Sequence, residues 1–285
     1  MPAIAGPSLP PFGALLRHHR ASRGMSQERL AGEAEISTRH LSCLETGRAA
    51  PSKTMVLVLG SALDLALRDR NALLEAAGYV AAYRDEPLDA PEAESLRRAV
   101  DLVLGAVEPN GAVACDRAWN VVKANRAAAR FFALFVDFER LPPEVMENLV
   151  VATLHPAGLR PAVVNFEEVA ALMLERLRRE AARSPDEPRI ARVREAVSAI
   201  PDLPSRPAPP IERGPFVTLH LRRGSAEARI FTTIASIGTP IDATAEEIHI
   251  ETYFPADEPT ARLVRSLGAN AVDHEEDAGR RRERL

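Results

Sequence analysis

The sequence predicts an α+β protein: an all-α domain of five short helices, followed by a domain in which helices cover an antiparallel sheet. Three observations carry this. Residues 12–79 fall into short blocks with helical spacing, most of them opened by a helix-capping residue. Runs rich in β-branched and aromatic residues gather in two places, at 112–123 and 216–255. Helical patterns fill the interval between them. At 285 residues the chain is long enough for two domains. Its 46% hydrophobic content is ordinary for a globular protein.

In the first domain (12–79), "FGALLRHHRASR" sets Phe12, Leu15, Leu16 and His19 at helical spacing. "SQERLAGEA", "STRHLSCLE", "SKTMVLVLGSALDL" and "DRNALLEAAGY" follow, opened by Ser26, Ser37, Ser52 and Asp69 as candidate N-caps. Short turns between them predict a compact bundle. Residues 80–94, which take in most of the acidic, proline-bearing "RDEPLDAPEAES" of residues 84–95, read as a linker.

The second domain (95–268) begins with a helical stretch from Leu96. Two β-like runs follow, Ala112–Cys115 and Trp119–Lys123, turned at Asp116. A helix opened by Asn125 carries "RAAARFFALFVDF", and further helical patterns cover 166–182 and 186–199. The proline-dense run at 200–215 excludes regular structure. "FVTLHLRR", "ARIFTTIASIG" and "EEIHIETYFP" then predict three consecutive antiparallel strands. The charged tail, 269–285, has little to bury and is expected to be disordered.

The two shortest helical blocks carry the functional signal. In a helix-turn-helix pair the second helix enters the major groove and the first braces it on the DNA backbone. Ala31 supplies the small contact between the helices, while Ile36, Leu41 and Leu44 supply the buried face. Between residues 12 and 53, seven Lys/Arg stand against four Asp/Glu, a local excess of positive charge in a chain of net charge −4. Arg39 can donate two hydrogen bonds to guanine, worth about 1–3 kcal/mol of discrimination. The turn between the helices needs one residue with positive φ, a place often taken by glycine, and here it falls on Glu35.

With "SQERLA", "ISTRHLSCLETG" and "AAPS" in this order, residues 12–78 resemble the lambda-repressor-like, or Xre-type, helix-turn-helix family. The resemblance implies a phosphate clamp at Gln27 and base-facing positions at Ser37, Thr38 and Arg39. It places Ser42 and Cys43 further along the same exposed side and Arg48 near the phosphate backbone. Double-stranded promoter DNA is the implied partner. A homodimer is expected, because one recognition helix reads few base pairs.

The order of two strands, several helices and three strands is that of a PAS-like sensor fold. "ACDRAWNVVKANRAAARFF" resembles its opening segment. With "LHPAGLRPAVVNFEEVA" and "LRREAARSPDEPRIARV", the chain from 12 to 268 resembles the MmyB-like transcription regulators. The resemblance implies a ligand-binding domain, with fatty acid as the ligand class. Of nine Phe, four stand at 131, 132, 135 and 138, so their helix is apolar on more than one face. Trp119, Phe131, Phe132, Phe135 and Phe166 are candidate cavity residues. Arg126, Arg130, His155 and Arg160 are candidates for holding a carboxylate, because they flank apolar stretches.

Other classes fit less well. Cys43 and Cys115 form no disulfide framework and have no thiolate-activating surroundings. No Cys/His spacing fits zinc. No nucleophile–base constellation or glycine-rich phosphate loop points to an enzyme. No cofactor is expected beyond a bound fatty acid, no run is long and apolar enough for a membrane, and a cytoplasmic location is expected. The sequence thus predicts a ligand-responsive DNA-binding regulator. The alternative is a constitutive regulator whose second domain serves only dimerisation.

Overall fold

The computed structural model describes residues 11–184, 187–204 and 217–269. Most of the proline-dense run and of the charged tail lies outside the described residues. The described chain divides into two compact units. One contains the residues up to Ala93 together with Ile237–Glu247, and the other contains Glu94–Ser236 and the chain from Ile248 onward.

The first unit holds α1 (Phe12–Ser22), α2 (Gln27–Glu33), α3 (Thr38–Glu45), α4 (Lys53–Ala62) and α5 (Leu67–Ala76). Three serines do what the sequence predicts. Ser26, Ser37 and Ser52 each accept a hydrogen bond from the backbone N–H three residues on, at 3.1, 3.1 and 3.2 Å, and each cap stabilises its helix by about 1 kcal/mol. Leu16, Leu30, Leu41, Leu44 and Leu59 are fully buried beneath them. Glu35 adopts the positive φ expected of the inter-helix turn, 53°. α5 departs from expectation. Its N-cap is Ala66, which offers no capping side chain, and Asp69 lies in the first turn instead.

The second unit holds α6 (Glu94–Ala106), β1 (Gly111–Cys115), β2 (Val121–Ala124), α7 (Arg126–Ala133), α8 (Pro143–Met146) and α9 (Leu149–Leu154). α10 (Phe166–Arg183), α11 (Pro188–Ser198), β3 (Leu219–Arg223), β4 (Ala226–Ser236) and β5 (His249–Pro255) follow. A last helix covers 258–269. The sheet is antiparallel throughout, in the order β2-β1-β5-β4-β3, so β5 is its central strand.

Two polar residues fix the path of the first hairpin. Asp116 accepts from the backbone N–H groups of Ala118 and Asn120, at 2.8 and 3.0 Å. Asn125 caps α7 and also ties β1, accepting from Ala128 and Ala112 while donating to the carbonyls of Leu104 and Asn110. Trp119 does not open the second strand as the β-like run suggested. It sits in the turn with φ at 62°, and its side chain is buried. Asn148 secures that turn, donating to the Ala118 carbonyl at 2.8 Å.

The last three strands are consecutive and antiparallel, as the sequence predicts, but a helical segment that it did not show lies between β4 and β5. The ladder stops at Ser236 and resumes at His249. The intervening residues, with α12 (Ala243–Glu247), belong to the first unit. There Glu246 accepts from the Leu67 N–H at 2.6 Å, supplying the cap that Ala66 cannot. Arg68 grips Glu247 side-on, donating from Nε and Nη2 at 2.9 and 3.2 Å, and its Nη1 also pairs with Asp85.

Candidate nucleic-acid interface and ligand cavity

Ser37, Thr38, Arg39 and Arg48 are exposed, and Ser42 and Cys43 are half-buried. Ser37 has a structural duty as the cap of α3. Arg48 donates to the Thr46 hydroxyl at 3.0 Å, and that hydroxyl donates to the Ser42 carbonyl at 2.7 Å, so the end of the helix is tied to the turn that follows. Gln27 donates to Glu45 at 2.7 Å.

Glu45 is the hub of this unit and was not legible as such. Its side chain is 1% exposed, and Arg20 grips it at 2.6 and 3.0 Å while donating to the Met25 carbonyl at 2.8 Å. Burial works to raise the Glu45 pKa, but the hydrogen bonds from Arg20 and Gln27 and the nearby positive charge outweigh it. The carboxyl is held below its ordinary range. One ion pair thus fastens α1, the first residue of α2 and the last residue of α3. The separation of 25 residues between Arg20 and Glu45 left no local sequence signal.

A cavity of about 790 Å³ lies inside the second unit, within the span of roughly 300–1,000 Å³ usual for small-molecule sites. Its walls are largely apolar, with Ala128, Phe132, Leu149, Leu159, Met173 and Ile230 among them. Thr232, Glu251, Tyr253, Arg176 and Arg179 add a polar region. Gly158 lets two segments close one wall, because a Cβ there would stand 2.1 Å from the Ala152 carbonyl oxygen. Gly158→Ala is therefore expected to destabilise the second unit by about 2 kcal/mol or more, read as a lowered urea midpoint by Trp119 fluorescence. A midpoint unchanged from wild type would show that the wall yields freely.

Of the nine predicted ligand residues, the cavity wall includes Phe132. Phe131 and Phe135 are buried in the core, with ring centroids 5.5 Å apart. Arg126 lies exposed in the first turn of α7, and Arg130 donates to the Leu267 carbonyl at 3.1 Å. His155 caps α9 and accepts from the Ala157 N–H. Arg160 donates to the Pro201 carbonyl at 2.7 Å and stacks over Phe166, 4.6 Å from its ring centre. Trp119 stands behind the wall, with Arg176 over its ring at 5.4 Å and His249 edge-on to it. Flanking an apolar stretch in sequence thus proved a poor guide to which cation reaches the cavity. The ones that do, Arg176 and Arg179, lie inside the long helix α10. Cys115 is buried, and burial pushes its thiol pKa up, away from reactivity.

A helix-turn-helix unit joined to a unit that encloses an apolar cavity under a sheet defines a DNA-binding regulator rather than an enzyme. The model of the MmyB-like transcription regulator ligand binding domain matches residues 96–267, more than half of the chain, and a helix-turn-helix domain matches residues 11–73. The chain belongs to the MmyB-like transcription regulators. Among solved structures it is similar to the restriction-modification controller protein C.AhdI from Aeromonas hydrophila, with 34% identity over 21% of this chain and 89% of that one, at a TM-score of 0.20. It is also similar to the clp gene regulator ClgR from C. glutamicum, with 36% identity over 24% of this chain and 84% of that one, at a TM-score of 0.21. No curated protein matches the chain at a significant level. Among the described residues, no helix is long and apolar enough to cross a membrane.

Proposed function

We propose that this regulator binds promoter DNA as a cytoplasmic homodimer and that an apolar small molecule of the fatty-acid class, held in the second unit, changes its operator affinity. The observation that carries this reading is the 790 Å³ cavity with largely apolar walls. Each alkyl CH₂ buried there contributes about 0.8 kcal/mol, so a long chain binds without special chemistry. A domain serving only dimerisation has no need of such a space. Ligand control requires different ligand affinity in the DNA-binding and released states. The segment 237–247 offers a route, since it continues directly from the cavity strands β4 and β5 and is docked on α5.

In this reading Arg39 reads a base, while Gln27, with one amide hydrogen given to Glu45, and Arg48 hold phosphates. Arg39→Ala is expected to weaken binding to an operator selected from random DNA by about tenfold to a hundredfold, with relaxed preference at one position. Equal loss on all sequences would reassign Arg39 to the phosphates. Native and denaturing mass spectrometry of the purified protein tests the ligand. Release of an apolar molecule supports the sensor, and an empty protein that also refuses added alkyl compounds would return the second unit to dimerisation.

A further inference from the structure

Along the central strand β5, His249, Glu251 and Tyr253 alternate and share one face of the sheet. Glu251 and Tyr253 line the cavity, and both are buried. Glu251 Oε2 and the Tyr253 hydroxyl have no hydrogen-bond partner among the described residues. Two such atoms unmatched in the middle of a sheet are costly and call for an explanation. The cavity also has two cations from α10. Arg176 is half-buried, 4.0 Å from Glu251 Oε2, while Arg179 is 64% exposed and lies 3.8 Å from Glu175. Exposure thus orders the polar groups, with Arg179 toward solvent, Arg176 between, and Glu251 and Tyr253 innermost.

We infer that a carboxylate ligand meets Glu251 head-on, the two carboxyl groups sharing one proton while Tyr253 donates its O–H to the head and Arg176 balances the remaining charge. This inference rests on the cavity being a ligand site. An ionised carboxylate only accepts hydrogen bonds, so two facing carboxylate oxygens need a hydrogen between them. Two carboxyl groups at one buried place do not both ionise, and one proton is held far more tightly than usual. The Tyr253 phenol takes a further lone pair of the head, which satisfies the second unmatched atom. Arg179 draws the anion toward the mouth, but it stands largely in water and is too well screened to replace that proton. Burial already pushes the Glu251 carboxyl up in the unliganded protein, opposed by Arg176 and by a hydrogen bond with Thr232. The other titratable groups nearby are Cys115 on β1, His249 and Tyr253 on β5, and the exposed Glu147 that lines the cavity at the end of α8. Burial keeps Cys115 and Tyr253 protonated, which leaves His249 as the competing proton carrier. Where Glu251 is ionised before binding, the shared proton comes from solvent, one per ligand. Where Glu251 is already protonated, none is taken up. Ligand affinity therefore falls as pH rises through the Glu251 pKa of the free protein.

The full-length protein is titrated by calorimetry with dodecanoate and, as an uncharged control, dodecanol, from about pH 6 to about pH 9, above the ordinary carboxyl range. Dodecanoate affinity is expected to fall toward the alkaline end, by up to about tenfold per pH unit. Uptake should approach one proton per ligand there, read from the heats in buffers of different ionisation enthalpy. Dodecanol affinity should stay level. Glu251→Gln, whose amide is a fixed donor, is expected to bind dodecanoate with no proton uptake and no pH slope. Tyr253→Phe, which keeps the ring, is expected to weaken dodecanoate severalfold at every pH and to leave the slope unchanged. Uptake that persists in Glu251→Gln would assign the proton to His249 and overturn the inference. A level wild-type affinity supports it where the complex shows a protonated-carboxyl infrared band that Glu251→Gln removes, and overturns it where that band is missing. Binding of dodecanol alone would overturn the carboxylate head and leave the apolar site standing. Failure of both compounds to bind would overturn the ligand site itself.

Discussion

Glu45→Ala is expected to destabilise the helix-turn-helix unit by about 3 kcal/mol, because it leaves the Arg20 guanidinium part-buried without its main partner. The same change frees Gln27 and removes the tie between α1 and the end of the recognition helix. Operator affinity should therefore fall with stability, even though Glu45 itself is buried away from any groove. The pH dependence follows from the lowered pKa of this carboxyl. A depressed folded-state pKa contributes stability that is present above the unfolded value, about 4.3 for glutamate, and lost as pH falls through the folded value. The wild type should accordingly lose stability on acidification below about pH 4, and Glu45→Gln should show a flatter acid limb over the same window. Urea unfolding followed by far-UV circular dichroism checks both. A loss under about 1 kcal/mol would place the pair among the weak surface bridges.

The first unit was largely legible because its signals are local. Ser26, Ser37 and Ser52 each act within three residues of themselves, and the apolar spacing of Leu16, Leu30, Leu41 and Leu44 needs no knowledge of partners. Glu35 could be placed at a positive φ from the turn alone. The Arg20–Glu45 pair could not, since both residues look like ordinary helix-surface charges until the chain is folded.

The cavity was harder to read for a related reason. Nine Phe drew attention to the apolar helix, yet Phe131 and Phe135 fill the core while Phe132 and Phe138 reach the cavity. Periodicity identifies an apolar face but does not tell a packed one from an empty one. On β5, "HIETYFP" alternates between Ile250 and Phe254 on one side and His249, Glu251 and Tyr253 on the other. An amphipathic strand of that kind ordinarily turns its polar row to water. Here Glu251 and Tyr253 of that row line the cavity, which is the clearest mark of function in the second unit and the least visible one in the sequence.

The other large effect is expected where the chain between β4 and β5 is held. Arg68 meets Glu247 and Asp85, while Glu246 caps α5. Arg68→Ala leaves Glu247, whose side chain is 4% exposed, without that partner, at a cost of about 2 kcal/mol to the docking of 237–247. Amide exchange within that segment should accelerate about thirtyfold, while the folded core around Leu41 and Leu59 stays protected. If this segment carries the ligand's effect, the ratio of operator affinities with the cavity filled and emptied should collapse toward one. Affinity in the emptied state should change little, because Arg68 lies outside the α2–α3 pair. Glu247→Ala should behave alike, and the double variant should lose little more than either single one, since both remove the same interaction. Faster exchange with an unchanged ratio would separate docking from control, and the coupling would then have to run through the rest of the chain or across the proposed dimer.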